Sequence, residues 1–134
     1  MTPASSAARG RRVLAIAGVL LALATISGAF GAHALKAYLT PDKLAVYDTA
    51  VRYHFFHALG LLGIGLAMQR ANSSLLLWSS RLVLAGIVLF SGSIYFLTFG
   101  APRFVGIITP IGGTALIAGW FLFAAGVWQA KISE

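Results

Sequence analysis

Val13-Leu-Ala-Ile-Ala-Gly-Val-Leu-Leu-Ala-Leu-Ala-Thr-Ile-Ser-Gly-Ala-Phe-Gly-Ala-His-Ala-Leu35 runs without a charge between Arg12 and Lys36. A bilayer core of about 30 Å is crossed by about 20 apolar residues rising 1.5 Å each, so this stretch is long enough to span one as a helix. Three further segments, at about residues 53–69, 75–98 and 104–128, are of the same kind. None alternates apolar and polar residues at period two, so a barrel is disfavoured. The expected fold is all-α: an integral membrane four-helix bundle with short hairpin connections. Residues 1–12 then form a basic N-terminal tail, residues 13–129 a single transmembrane domain, and residues 130–134 a C-terminal tail.

Composition supports this. The 134 residues are 59% hydrophobic and 10% charged, against roughly 25% charged in soluble domains, and the mean hydropathy is +0.88. There is no cysteine, which excludes a disulfide scaffold, Cys-ligated zinc or iron–sulfur centres and thiol redox chemistry. A net charge of +7 suits a nucleic-acid binder, but the basic residues lie between apolar runs with no continuous stripe, so nucleic acid is not an expected partner. The lipid bilayer is, together with a second copy or another membrane protein.

The connections differ in character. Arg70-Ala-Asn-Ser-Ser74 and Gly100-Ala-Pro-Arg103 are short turns. The first loop holds Thr40-Pro41-Asp42, the pattern of an N-cap, a first-turn proline and an acidic residue in the first turn. The second helix is therefore predicted to start near Pro41 and to run about 43 Å to Gln69 at 1.5 Å per residue, longer than a bilayer core needs. Arg9 to Ala34 also has the plan of a secretory signal, with Ala32-His33-Ala34 as a cleavage-like site. Its apolar stretch is too long for the usual signal and three spans follow, so we read it as a retained helix.

Positive charge near helix ends sets orientation. With the N-terminus inside, Arg9, Arg11, Arg12, Arg70, Arg81 and Lys131 are cytoplasmic, while Lys36, Lys43, Arg52 and Arg103 are outside. Both termini are expected in the cytoplasm.

Four motifs carry a family resemblance: Gly28-Ala-Phe-Gly-Ala-His33-Ala-Leu, Tyr53-His-Phe-Phe-His57-Ala-Leu, Leu89-Phe-Ser-Gly-Ser93-Ile-Tyr95 and Thr109-Pro-Ile-Gly-Gly113. In this order they resemble the YgdD-like family of small membrane proteins, also called domain of unknown function 423 and related to transmembrane protein 256. The resemblance covers about residues 15–128. It implies a four-helix protein of the bacterial inner membrane, argues against removal of the first span, and implies no activity.

Traced through the spans, the unusual residues gather at one depth, toward the outside: His33 at the end of helix one, Tyr53, His54 and His57 on helix two, Ser91, Ser93 and Tyr95 on helix three, and Thr109 on helix four. At 100° per residue Tyr53, His54, His57 and Gly60 share an arc of roughly 120°, and intramembrane histidines usually face the bundle. The plainest role for the three histidines is interfacial hydrogen bonding that ties the first loop down; proton or ligand handling is the sharper one. No cofactor is expected. The alternative is a metal or haem held by His33, His54 and His57, since two histidines three residues apart need ligands from other helices.

Asp48 and Arg52 read as a surface ion pair worth about 0.3–0.5 kcal/mol, or as a headgroup contact. Arg81, two turns into helix three, either snorkels to the phosphates beside Trp78 or lines an internal path. Ser27/Gly31, Gly28/Ala32, Gly63/Ala67 and Ala115/Gly119 are small pairs that let helices approach, and Gly112 and Gly113 follow Pro110, where helix four is expected to bend. With no nucleophile–base–acid set, carboxylate pair or cofactor fingerprint, the expected role is non-catalytic binding or assembly. A small transporter or channel subunit using the His layer and Arg81 is the alternative.

Overall fold

The computed structural model describes residues 2–130; Lys131, counted above among the charges of one end, lies outside them. Four helices account for nearly all of this length: α1 (Pro3–Ala32), α2 (Pro41–Arg70), α3 (Ser74–Thr98) and α4 (Ile108–Gln129), with 3-10 turns at Ala34–Ala37 and Arg103–Ile107. Each of the four is long and apolar enough to cross a membrane, and no strand occurs among the described residues. The chain is an all-α, multi-pass membrane protein.

The ends of the helices follow from local chemistry. Thr40 caps α2, its hydroxyl accepting the Lys43 N–H at 3.4 Å, with Asp42 in the first turn, as the sequence predicts. At the end of α3 the Ala101 N–H donates to the Phe96 carbonyl at 3.0 Å and the Gly100 N–H to Leu97 at 3.3 Å. This is a Schellman closure, and Gly100, at φ +93°, supplies the left-handed residue it requires.

Two expectations change. The segment before Val13, read as a tail, is helical from Pro3. Its Ala and Arg residues are strong helix formers, Thr2 caps it, and Ser6 is buried with its hydroxyl 2.8 Å from the Met68 carbonyl that it donates to. Where a bend is expected at Pro110 inside helix four, the helix changes type just before it: a 3-10 turn at Arg103–Ile107 runs directly into α4, with Ile107 and Ile108 both in the right-handed helical region. Pro110 is the third residue of α4, where a backbone N–H has no intrahelical acceptor to lose, and the preceding turn is 3-10.

The helices pack in chain order, α1 on α2, α2 on α3 and α3 on α4. α2 and α3 are inside and supply most of the core: Leu61, Ile64 and Met68 against Leu76, Val83 and Ile87, with Ala17 from α1 and Leu116 from α4. In lipid, apolar burial alone gives little net association, so close backbone approach and interhelical hydrogen bonds matter more. α1 crosses α2 where a Cβ on Gly10 would stand 2.7 Å from the Gly65 carbonyl oxygen. α4 crosses α3 where a Cβ on Gly112 would meet the Phe90 backbone nitrogen. Outward faces carry large apolar side chains such as Val19, Phe56, Phe96, Phe121 and Trp128, as a lipid-facing surface does.

Candidate functional site

The polar residues of the half opposite the start of α1 divide into two patches. In the first, α1, α2 and α3 meet. Tyr47 donates its hydroxyl to the Ser27 carbonyl at 2.7 Å, and its ring lies 5.4 Å from that of Tyr95 between centroids. The Tyr95 hydroxyl lies 3.0 Å from His54 Nδ1. One turn earlier on α3, Ser91 donates to the Ala50 carbonyl of α2 at 2.8 Å. His54 is 5% exposed, and its Nε2 meets no hydrogen-bond partner. The Leu20 main chain lies beside the ring without completing a bond to that atom. Whichever ring nitrogen carries the proton, one polar position of His54 stays unmatched.

The second patch lies where α2 and α3 face α4. Trp120 donates its indole N–H to His57 Nδ1 at 3.0 Å, which makes His57 a neutral imidazole with its hydrogen on Nε2. Tyr53 stacks tilted on Phe90 with ring centroids 4.6 Å apart and lies 5.7 Å from the His57 ring. The Ser93 and Thr109 hydroxyls are 2.6 Å apart. Ser93 donates its hydrogen to the Phe90 carbonyl, so Thr109 donates to Ser93.

The arc predicted on α2 is therefore split by its own width. His54, at one edge, points between α1 and α3, while Tyr53, His57 and Gly60 turn toward Phe90 and Trp120. His33 joins neither patch. It is the exposed C-cap of α1, and no group of three or more His, Cys, Asp or Glu that could hold a metal occurs among the described residues. Asp48 and Arg52 form an exposed pair at 2.6 Å on α2. Arg81 is exposed, its guanidinium 5.0 Å from the Trp78 ring centroid, toward the start of α3 and away from both patches.

The glycines differ in kind. A Cβ on Gly31 would press on the Tyr47 ring at 2.7 Å, whereas Gly28 has ordinary contact with Val51 and Gly113 with Phe90. Gly63 has nothing within 4 Å, so the Gly63/Ala67 pair makes no close approach within the chain. The residues that sequence reasoning missed are Ser27, Tyr47 and Trp120. Tyr47 had a signal: it stands seven residues before His54, two turns along the same face.

Chemically, these patches hold neutral donors and acceptors that bridge helices. They contain no carboxylate; the Tyr47 and Ser91 hydroxyls are bonded to carbonyls, Ser93 and Thr109 to each other, and Tyr95 to the His54 ring. Such an arrangement fixes helix register; it lacks an activated nucleophile.

Comparison with known proteins agrees with the architecture. Residues 27–113 match the family described as "Protein of unknown function (DUF423)". The chain is 40% identical over 119 residues to a UPF0382 membrane protein of Staphylococcus saprophyticus, covering 88% of this chain and 98% of that one. It is 42% identical over 112 residues to a UPF0382 membrane protein of Staphylococcus epidermidis, with 83% and 91% covered. The UPF0382 inner membrane protein YgdD of Escherichia coli is 40% identical over 104 residues, 78% of this chain and 79% of that protein. No solved structure gives a significant match. Four apolar helices, the motif order and identity over most of the length lead to one conclusion: this chain belongs to the DUF423 family of small membrane proteins.

Proposed function

We propose that the protein works without catalysis, as a binding or assembly element of the bacterial inner membrane with both termini in the cytoplasm. The observation that carries this reading is the use made of the polar side chains. Tyr47, Ser91, Thr109 and Trp120 each bridge two helices by hydrogen bonds, which builds a rigid bundle and leaves no reactive set. A rigid small bundle whose flanking helices stay largely uncovered is suited to holding lipid, a second copy or a larger membrane protein against α1 or α4. The name of the E. coli relative supports the inner membrane as its place.

The test is the mass of the protein extracted at native abundance in mild detergent, with bound lipid counted. A defined species heavier than one chain, reproduced after reconstitution, supports the assembly role. A strict monomer that binds neither lipid nor partner overturns it.

One observation favours a second reading, a small transporter or channel subunit. A buried polar atom without a partner costs about 1–3 kcal/mol, and His54 Nε2 is such an atom, within a group of hydroxyls that a water or proton could visit. Vesicles containing the protein would then leak protons or a small solute, and His54→Phe would abolish the leak. Tight vesicles remove this reading.

A further inference from the structure

At the end of the bundle where α1 begins, a groove of about 270 Å³ opens between α1 and α3. Both helices present it with the same spacing: Arg9, Arg12, Val13 and Ile16 on α1, and Leu77, Ser80, Arg81 and Leu84 on α3, each at i, i+3, i+4 and i+7. That is one face of each helix. Leu61 of α2, 1% exposed, forms the floor. The groove thus has an apolar interior and three guanidinium groups along it. Nothing in the polar patches described above is part of it.

We propose that this groove binds an anionic phospholipid, the phosphodiester headgroup on Arg9, Arg12 and Arg81 and an acyl chain along Val13, Ile16 and Leu84. The charge balance argues for an anion. The described carboxylates, Asp42 and Asp48, both lie in the first half of α2, at the opposite end of the bundle. Arg12 and Arg81 bring like charge to one groove, and a bound phosphate accepts charge-assisted hydrogen bonds from their guanidinium forks.

The charge balance also selects the headgroup. Among the described residues no carboxylate lines the groove to receive the ammonium of a zwitterionic lipid. The Trp78 ring, the aromatic face that could have taken such a cation, is already covered by Arg81. The apolar interior argues for an amphiphile over a free anion, because an inorganic phosphate would leave Val13, Ile16 and Leu84 uncovered. The volume falls at the low end for small-molecule pockets, so it holds the headgroup region and the top of a chain, the remainder of the lipid staying in the bilayer.

Depth fits as well. Arg81 is the eighth residue of α3, about 10 Å along the helix at 1.5 Å per residue. Its side chain turns back over Trp78, toward the helix start, as an arginine reaching for headgroup phosphates does.

The test is native mass spectrometry of the full chain in mild detergent, titrated with phosphatidylglycerol, with phosphatidylcholine of the same chain length, and with inorganic phosphate. The expected result is a one-to-one complex with phosphatidylglycerol that neither other probe matches. Arg12→Gln combined with Arg81→Gln should weaken it roughly tenfold or more, while Arg11→Gln, outside the groove, should leave it unchanged. Ile16→Trp, which fills the apolar part and keeps every charge, should also weaken it, and helical circular dichroism checks that each variant is folded. Equal binding of the two lipids, or equal loss in Arg11→Gln, overturns the site. Phosphate binding as tight as the lipid's would make it a free-anion site and overturns the lipid assignment.

Discussion

His57 has one ring nitrogen committed to the Trp120 indole and a tilted neighbour in Tyr53. Its inward direction was legible, because a histidine in an apolar span avoids lipid. Its partner was not, because an indole 63 residues away reads as one more apolar side chain until α4 is placed. His54 is the converse: Tyr95 stood among the candidate residues, but the phase of α2 does not reveal that His54 turns between α1 and α3 while His57, about 60° round the helix, turns toward α4. The His57–Trp120 bond gives a prediction at this scale. In a double-mutant cycle with His57→Leu and Trp120→Phe, followed by unfolding in mixed micelles, the coupling should be about 0.6 kcal/mol and no more than about 1.7 kcal/mol, the range for hydrogen bonds between membrane helices. A coupling indistinguishable from zero would show that the contact does not help hold α2 to α4.

Between elements, the crossing of α3 and α4 depends on one glycine of a pair. Gly112 and Gly113 are adjacent, but 100° of helix rotation separates them. A Cβ on Gly112 would meet the Phe90 main chain, while one on Gly113 would lie 3.6 Å from the Phe90 ring edge. Backbone cannot step aside as a side chain can. Gly112→Ala should therefore lower stability by about 1–3 kcal/mol, as overpacking does, and Gly113→Ala should stay within about 0.5 kcal/mol, both read from unfolding in the same micelles. Equal effects would place the crossing elsewhere. Small-residue spacing alone could not make this distinction. It picked out Gly63/Ala67, although a Cβ on Gly63 would meet nothing within 4 Å, and passed over Gly65 and Gly86, which stand at close approaches without a small partner four residues away. Pro110 shows the same limit: the residue's effect depends on where the helix starts, and the 3-10 turn at Arg103–Ile107 moved that start to Ile108.

For the whole molecule, four crossings place the start of α1 and the end of α4 at one end of the bundle. That end also carries Arg9, Arg11, Arg12, Arg70 and Arg81. Lys36, Lys43, Arg52 and Arg103 belong to the other. The numerical difference is small, but Arg11 and Arg12 directly precede the first apolar stretch, and charge beside the first span usually dominates orientation. The arginine groove would then face the cytoplasmic leaflet, whose anionic lipids attract basic residues near the surface. Since the chain has no cysteine, single substitutions report the side directly. Tyr38→Cys, at an 84% exposed position after α1, should react with a membrane-impermeant maleimide in intact cells. Asn72→Cys, in the turn between α2 and α3, should react only after permeabilisation. The reverse pattern would invert the bundle and set the groove against the outer leaflet, where the lipid titration would still hold but the cytoplasmic surface potential could not supply the attraction.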